Sequence, residues 1–292
     1  MIRTLAGVTA AGLGVAGWSV WEARQFQRSF HHLSILPAGM EPVRILNISD
    51  IHLMPNDGKK VEFLRDLTDL KPDAVFLTGD QLSSTKALPS LLRALKPLAD
   101  LGIPGAFVYG SHDYFAPVWK NPLSYVIPQL ASEAKEPEDL PHEAMAEALV
   151  DYGWTDLRNA RATLSLGGTE IGLVGVDDPH IDLDDYPTQP ASSLPFTIGL
   201  THAPYSRVLN RMNDDGVGLA LAGHTHGGQV CVPGYGALVT NCDLDTKHVS
   251  GVFGWPIGKR TMSAAISRGL GTSPYAPFRL ACRPEIQVID LA

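Results

Sequence analysis

Three short apolar runs, each closing in a polar cluster, set the tightest limit on how this chain folds. Residues 43–49 run into Asp50-Ile51-His52, residues 74–78 into Gly79-Asp80, and residues 105–109 into Gly110-Ser111-His112-Asp113. Asp50 and Asp80 lie 30 positions apart and Asp80 and Ser111 31, each about one strand–helix–strand unit. Between them, Val61, Phe63, Leu64, Leu67 and Leu70 recur near helical spacing, and a second helical stretch covers 88–101. Crossovers of this length give parallel strands, and ligands in such sheets bind beyond the strands' carboxyl ends. All three clusters therefore fall on one sheet edge.

The rest of the chain follows the same habit. A helix is predicted over 142–152, then a hairpin of 162–166 with 171–176 around Gly167-Gly168, closed by Asp177-Asp178-Pro179-His180. Residues 196–200 read as a strand delivering His202, and 205–212 as a short helix. The strand at 219–222 feeds Gly223-His224-Thr225-His226-Gly227-Gly228, and short strands follow at 262–266 and 286–291. In an extended segment His224 and His226 face the same way, and the flanking glycines let the backbone turn off the strand. Of ten histidines, five (His52, His112, His202, His224 and His226) sit just after strand-like runs, which solvated surface histidines would not do. Residues 114–141, interrupted by five prolines, read as a lid or substrate-contacting insertion.

With 292 residues and 45% hydrophobic content the chain can bury a full core, so one domain is expected at 41–292. A net charge of −8 supplies no basic face, which excludes nucleic acid as a partner. Cys231, Cys242 and Cys282 have neither CxxC spacing nor the density of a disulfide scaffold. Residues 4–21 form an uncharged run of 18 after Arg3, about 27 Å long as a helix, with Trp18 and Trp21 at its far end. Residues 1–30 are thus expected to be an N-terminal membrane anchor or signal segment, an uncleaved single-pass anchor in the cell membrane being favoured. Arg3 against Arg24 and Arg28 leaves the side of the membrane open.

Gathered on one edge, carboxylates Asp50 and Asp80 and imidazoles His52, His202, His224 and His226 make a nitrogen and oxygen donor set without thiolate. That suits Mn, Fe or Zn in a working site rather than a structural zinc cage. Two divalent ions about 3.5–4 Å apart clamp the attacking and leaving oxygens of an in-line displacement, the need of phosphate-ester hydrolysis.

In this order and with these gaps, Asp50-x-His52, Gly79-Asp80, Gly110-Ser111-His112-Asp113, His202 and Gly223-His224-x-His226 resemble the calcineurin-like metallophosphoesterases over residues 43–291. The resemblance implies an α/β fold, a four-layer α/β/β/α sandwich, with two divalent metal ions. It implies that Asp50, His52, Asp80 and His226 hold one ion, and Asp80, Ser111, His202 and His224 the other. His112 would protonate the leaving oxygen, Asp113 would orient its imidazole, and a metal-bridging hydroxide would be the nucleophile. This chain departs from the family in carrying Ser111 where Asn is usual and Gln81-Leu82-Ser83 where a further acid often follows. A hydroxyl reaches less far than an amide oxygen, so the second ion is expected to be held about 10 to 100-fold more loosely.

Asp177-Asp178-Pro179, Ser267-Arg268-Gly269-Leu270-Gly271 and Arg283-Pro284-Glu285 are similar to a membrane-associated bacterial subgroup that includes UDP-2,3-diacylglucosamine hydrolase-like enzymes. The implied activity is hydrolysis of phosphoester or pyrophosphate bonds in a phosphorylated small molecule or a lipid, on a lipid-linked or envelope substrate reached from the membrane. The alternative is a membrane-anchored binding or scaffold protein of the same fold; His112 and Asp113, which serve chemistry, favour the enzyme. Amidohydrolases also use an HxH but place it on their first strand, whereas here it comes last.

Overall fold

Alternation along the apolar strands decides which face each sheet buries. In β2 (Val43–Ile48), Val43 and Ile45 pack towards a second sheet, while Leu46 and Ile48 pack towards helices. The computed structural model describes residues 2–119, 138–189, 193–256 and 262–292, the first ten of these (2–11) without their side chains. The chain opens with α1 (Ile2–Glu22) and β1 (Gln27–Leu33). After β2 come α2 (Gly58–Arg65), tightening into a 3-10 turn at Asp66–Leu70, then β3 (Ala74–Thr78), α3 (Leu88–Asp100), β4 (Gly105–Val108) and the single turn α4 (Ser111–Tyr114). The next elements are α5 (His142–Asp151), β5 (Trp154–Asp156), β6 (Ala160–Leu166), β7 (Thr169–Gly175), β8 (Thr197–Leu200), α6 (Ser206–Asp214) and β9 (Leu219–Ala222). A two-stranded ribbon of β10 (Cys231–Val232) and β11 (Gly236–Ala237) precedes β12 (Gly251–Trp255), β13 (Met262–Ile266) and β14 (Glu285–Leu291).

Two six-stranded sheets result, ordered β1-β14-β2-β3-β4-β5 and β12-β13-β9-β8-β7-β6. Strands β2 to β5 are parallel, with Ile45 opposite Ala74 and Val75 opposite Gly105; β7, β8, β9 and β13 are likewise parallel. Their inner faces meet through Ile45, Phe76, Val108, Leu173, Ile198 and Leu221. The outer face of the first sheet is covered by α2, α3 and α5 and that of the second by α6. The expected four-layer α/β/β/α sandwich is the fold observed, and the parallel strands of both sheets deliver their carboxyl ends to one edge.

The last residues of the expected anchor segment and the first ones after it form a strand. β1 pairs in parallel with β14, Gln27 opposite Glu285 through Leu33 opposite Leu291. Its sequence, QRSFHHL, is too polar to announce a strand, because only one of its faces needs covering at a sheet edge. The end of α1 is also fixed to the body. Glu22, 4% exposed, accepts hydrogen bonds from Trp18 Nε1 and from the Cys282 N–H, both at 2.8 Å, and the Arg279 N–H donates to the Ser19 carbonyl. No helix among the described residues is long and apolar enough to cross a membrane, so the span expected at 4–21 finds no support there. Part of it, the side chains of 4–11, lies outside the described residues, as do 120–137 of the expected insertion.

Candidate metal centre

Each candidate ligand stands on the first turn after a strand, and the backbone there is bent hard. Asp50, His52, Asp80, His224 and His226 all have positive φ, between 44° and 68°. Non-glycine residues held so cost on the order of 1–3 kcal/mol each, and such strain gathers at functional sites. Glycines make room beside them. A Cβ on Gly223 would overlap Ser49 Oγ and Asp50 Oδ2, and one on Gly110 would overlap Asp80 Oδ1 and the His202 ring.

The donor atoms converge in two groups, Asp50 with His52 and His226, and Asp50 with Asp80 and His202, within each of which the atoms lie no more than 4.8 Å apart. Asp80 stands between them: Oδ2 is 3.4 Å from His52 Nε2 and Oδ1 3.4 Å from His202 Nε2. His226 Nε2 is 3.5 Å from Asp50 Oδ1 and 3.3 Å from His52 Nε2. Asp50 is held by Ser49 Oγ at 2.6 Å and by the His224 N–H, and Asp80 Oδ1 accepts from the His112 N–H at 2.8 Å.

The far side of each ring shows what the near side is for. His202 Nδ1 faces the Thr78 carbonyl at 2.8 Å, His224 Nε2 the Asn241 carbonyl at 3.2 Å and His52 Nδ1 the Ser83 hydroxyl at 3.0 Å. A proton committed to a carbonyl leaves the other ring nitrogen as a bare lone pair, which is how metal-ligating histidines are oriented. Among the described residues the buried His202 Nε2 makes no close hydrogen bond, its approach to Asp80 Oδ1 being 3.4 Å. Burial holds the imidazoles of His52 and His224 well below their usual range and brings His226 down to about 4, so all three are neutral at pH 7. Burial also works against charge on His202 and Asp80, but their mutual attraction prevails, pushing the imidazole up and the carboxyl down. A cation at His202 would replace that proton as the counter-charge. The His202 nitrogen turned to Asp80, the neutral imidazoles and the carboxylates together fit divalent ions of the Mn, Fe or Zn kind.

The His226 shift makes a pH prediction. Between pH 6.5 and 4 the unfolded chain protonates this residue and the folded chain does not, so stability falls as the pH is lowered through that window. Relative to His226→Gln, metal-stripped protein is expected to lose up to about 3 kcal/mol on going from pH 7 to pH 4. Urea unfolding of both proteins at a series of pH values measures the difference, and parallel curves would refute it.

Two sequence-derived expectations need correction. Asp113 does not orient the His112 imidazole, whose Nδ1 instead faces the Phe115 carbonyl at 3.0 Å. Both Asp113 oxygens are taken by backbone N–H groups, those of Asp80 and Gln81 at 2.8 Å and of Gly110 at 3.0 Å. Burial pushes this carboxyl up to about 8 and the Asp80 charge adds to the push, while the N–H donors oppose it. Nor do His224 and His226 lie on one face of an extended segment. The chain turns between them, sending His226 to Asp50 and His52, and His224 to lie edge-on to His202 and tilted against His180, with ring centroids 5.1 and 4.5 Å away. Ser111 opens α4 half-buried, and its carbonyl accepts from the Phe115 N–H.

Sequence reasoning also missed Arg279. It is fully buried, donates to the carbonyls of Arg268 and Gly271 at 2.7 and 2.6 Å, and lies 3.2 Å from His226 Nδ1. Its only signal was a lone cation in the apolar stretch Phe278-Arg279-Leu280-Ala281.

A two-sheet sandwich with aspartates and histidines converging at the strand ends defines a metal-dependent hydrolase of phosphoric esters. Residues 43–228 match the calcineurin-like phosphoesterases, and the chain belongs to that family. It is similar to the uncharacterized metallophosphoesterase YkuE of Bacillus subtilis, 28% identical over 98% of this chain and 92% of that one. Phosphodiesterase YaeI of Escherichia coli is 27% identical over 99% and 97%, and a bovine transmembrane protein with a metallophosphoesterase domain 28% over 88% and 54%. The family works with two divalent metal ions, and this site has the ligands for them.

Proposed function

We propose that the chain hydrolyses a phosphoester or pyrophosphate bond in a lipid-linked or envelope substrate, working from a membrane surface. One observation supports the lipid reading above the others. The described apolar side chains of α1 are exposed, Leu13 at 71% and Trp18 at 50%, and the helix ends against the loop whose Arg279 touches His226. An exposed apolar helix rooted beside the site would bring that site to an acyl surface.

In this reading Asp50, His52, Asp80 and His226 hold one ion, and Asp80, Ser111, His202 and His224 the other. When bound, the two ions supply charge for the phosphoryl oxygens and a water acidic enough to attack at neutral pH. His112, its Nδ1–H committed to the Phe115 carbonyl, would serve the leaving oxygen through Nε2, giving up a proton there when the ring is imidazolium. Asp113 fixes the backbone of Asp80 and so holds that carboxylate between His52 and His202.

The test uses the full chain with Mn(II), an aryl phosphodiester in solution, and a lipid-linked pyrophosphate in anionic vesicles. The protein is expected to sediment with the vesicles and to cleave the vesicle-borne substrate at least about tenfold faster at equal concentration, because surface confinement raises local concentration. Equal rates without vesicle binding would overturn the lipid substrate and leave a hydrolase of soluble esters.

A further inference from the structure

The candidate ligands make a buried floor: Asp50, His52, Asp80, His202 and His224 are each 5% exposed or less. Two histidines outside the ligand set stand against different halves of it. His112 lies beside His52, ring centroids 5.3 Å apart, and His180 lies beside His224, 4.5 Å apart, on the half that holds His202. His180 is exposed, so it stands at the rim of the site. Its ring is held there from several directions. Nδ1 lies 3.1 Å from the Tyr205 hydroxyl, and the two rings run nearly parallel, 15° apart in plane with centroids 6.4 Å apart. The His180 N–H donates to Asp178 Oδ1 at 2.9 Å in the 3-10 turn Pro179–Ile181. Arg207 donates to the Pro179 carbonyl at 3.1 Å, and its guanidinium sits 5.7 Å from the centre of the Tyr205 ring. Arg207 is itself ion-paired with Asp184, so its charge is neutralised within the turn. An exposed ring adds little buried area to the core, whereas a ring fixed at the mouth of a site is already organised for a ligand.

We propose that His180, oriented by Tyr205, is a substrate-binding residue that contacts the substituent a phosphodiester or pyrophosphate keeps on phosphorus. This inference rests on the hydrolase reading above and names the substrate class within it. The phosphoryl group belongs over the buried floor, where the donor atoms converge. With His112 serving the leaving oxygen beside His52, the substituent that stays on phosphorus leaves the floor beside His224 and meets the imidazole of His180. A phosphomonoester has no such substituent, and its free oxygens stay over the floor. His180 therefore favours substrates with two groups on phosphorus over those with one. Tyr205 acts by holding the imidazole and is a positioning residue.

The experiment compares full-length parent, His180→Ala and Tyr205→Phe with saturating Mn(II). Bis(para-nitrophenyl) phosphate is the substrate, and phenyl phosphate, a monoester, is the competitor. Mn(II) uptake by calorimetry and the thermal midpoint in EDTA are read independently of turnover. His180→Ala is expected to raise KM for the diester at least about fivefold, the loss of one hydrogen-bonded contact, with kcat changed by less than about twofold. The inhibition constant of phenyl phosphate should stay at the parental value. Tyr205→Phe should raise the diester KM by about twofold to threefold, since the imidazole remains but is no longer fixed. Metal uptake and thermal midpoint should match the parent's in both variants. An unchanged diester KM in His180→Ala would overturn the proposal. Equal weakening of diester and monoester would overturn it too, by placing His180 at a phosphoryl oxygen, and so would reduced Mn(II) uptake, by making His180 a support for His224. A parent that binds Mn(II) yet cleaves no diester would instead overturn the hydrolase reading, and this inference with it.

Discussion

Replacing Asp80 by Asn leaves a folded protein that cleaves an aryl phosphodiester at least about 100-fold more slowly than the parent under saturating Mn(II). The size follows from the position. Asp80 is the carboxylate lying 3.4 Å from both His52 Nε2 and His202 Nε2, so it serves both halves of the site. A neutral amide has one acceptor oxygen and no charge to share between two cations. Loss of even an outer partner of a metal ligand costs about 10 to 100-fold, and a shared ligand should cost no less than the top of that range. Folding should survive, because the amide oxygen can still accept the His112 N–H that Asp80 Oδ1 accepts at 2.8 Å. Initial rates together with metal content by elemental analysis make the measurement. Parental activity in a variant carrying fewer than two ions would show that the shared carboxylate is dispensable.

The largest effect on stability is expected from Asp113→Ala. The side chain accepts from three buried backbone N–H groups, those of Asp80, Gln81 and Gly110, and so ties the loop after β3 to the loop after β4. Each donor left buried without a partner costs about 1–3 kcal/mol, so the sum is about 3 kcal/mol or more. Whole domains are stable by only about 5–15 kcal/mol. The variant is therefore expected to unfold at clearly lower urea concentration than the parent, both metal-free. Asp113→Asn, which keeps one acceptor oxygen, should lose less. Activity should fall with stability in Asp113→Ala, since the backbone of Asp80 loses its anchor. If instead the alanine variant kept parental stability and lost only turnover, Asp113 would be acting on chemistry rather than on architecture.

Much of the fold was legible because it is written in local periodicity. The strand expected at 74–78 is β3 residue for residue, and the hairpin around Gly167-Gly168 closes with Leu166 opposite Thr169. The candidate ligands were legible for a related reason. A polar residue just after a buried parallel strand has nowhere to go but the carboxyl edge, so spacing placed Asp50 and Asp80 there, and the strand-like runs that precede them did the same for His202 and His226. β1 was not legible, because an edge strand needs little apolar character and its partner lies at the other end of the chain.

What the amino-acid sequence determined was which residues reach the site: two aspartates and four histidines, each fixed by the strand it follows. What only the tertiary structure decided was what each does once there. Asp113 clamps three N–H groups instead of orienting His112, His224 and His226 part to different neighbours, Asp178 is left with an orphaned oxygen, and Arg279 is buried against the loop that carries His226. The physical reason is range. Strand periodicity is set by neighbours two residues apart, whereas a hydrogen bond such as that from the His224 N–H to Asp50 joins positions 174 residues apart, and its geometry exists only when both sheets are in place.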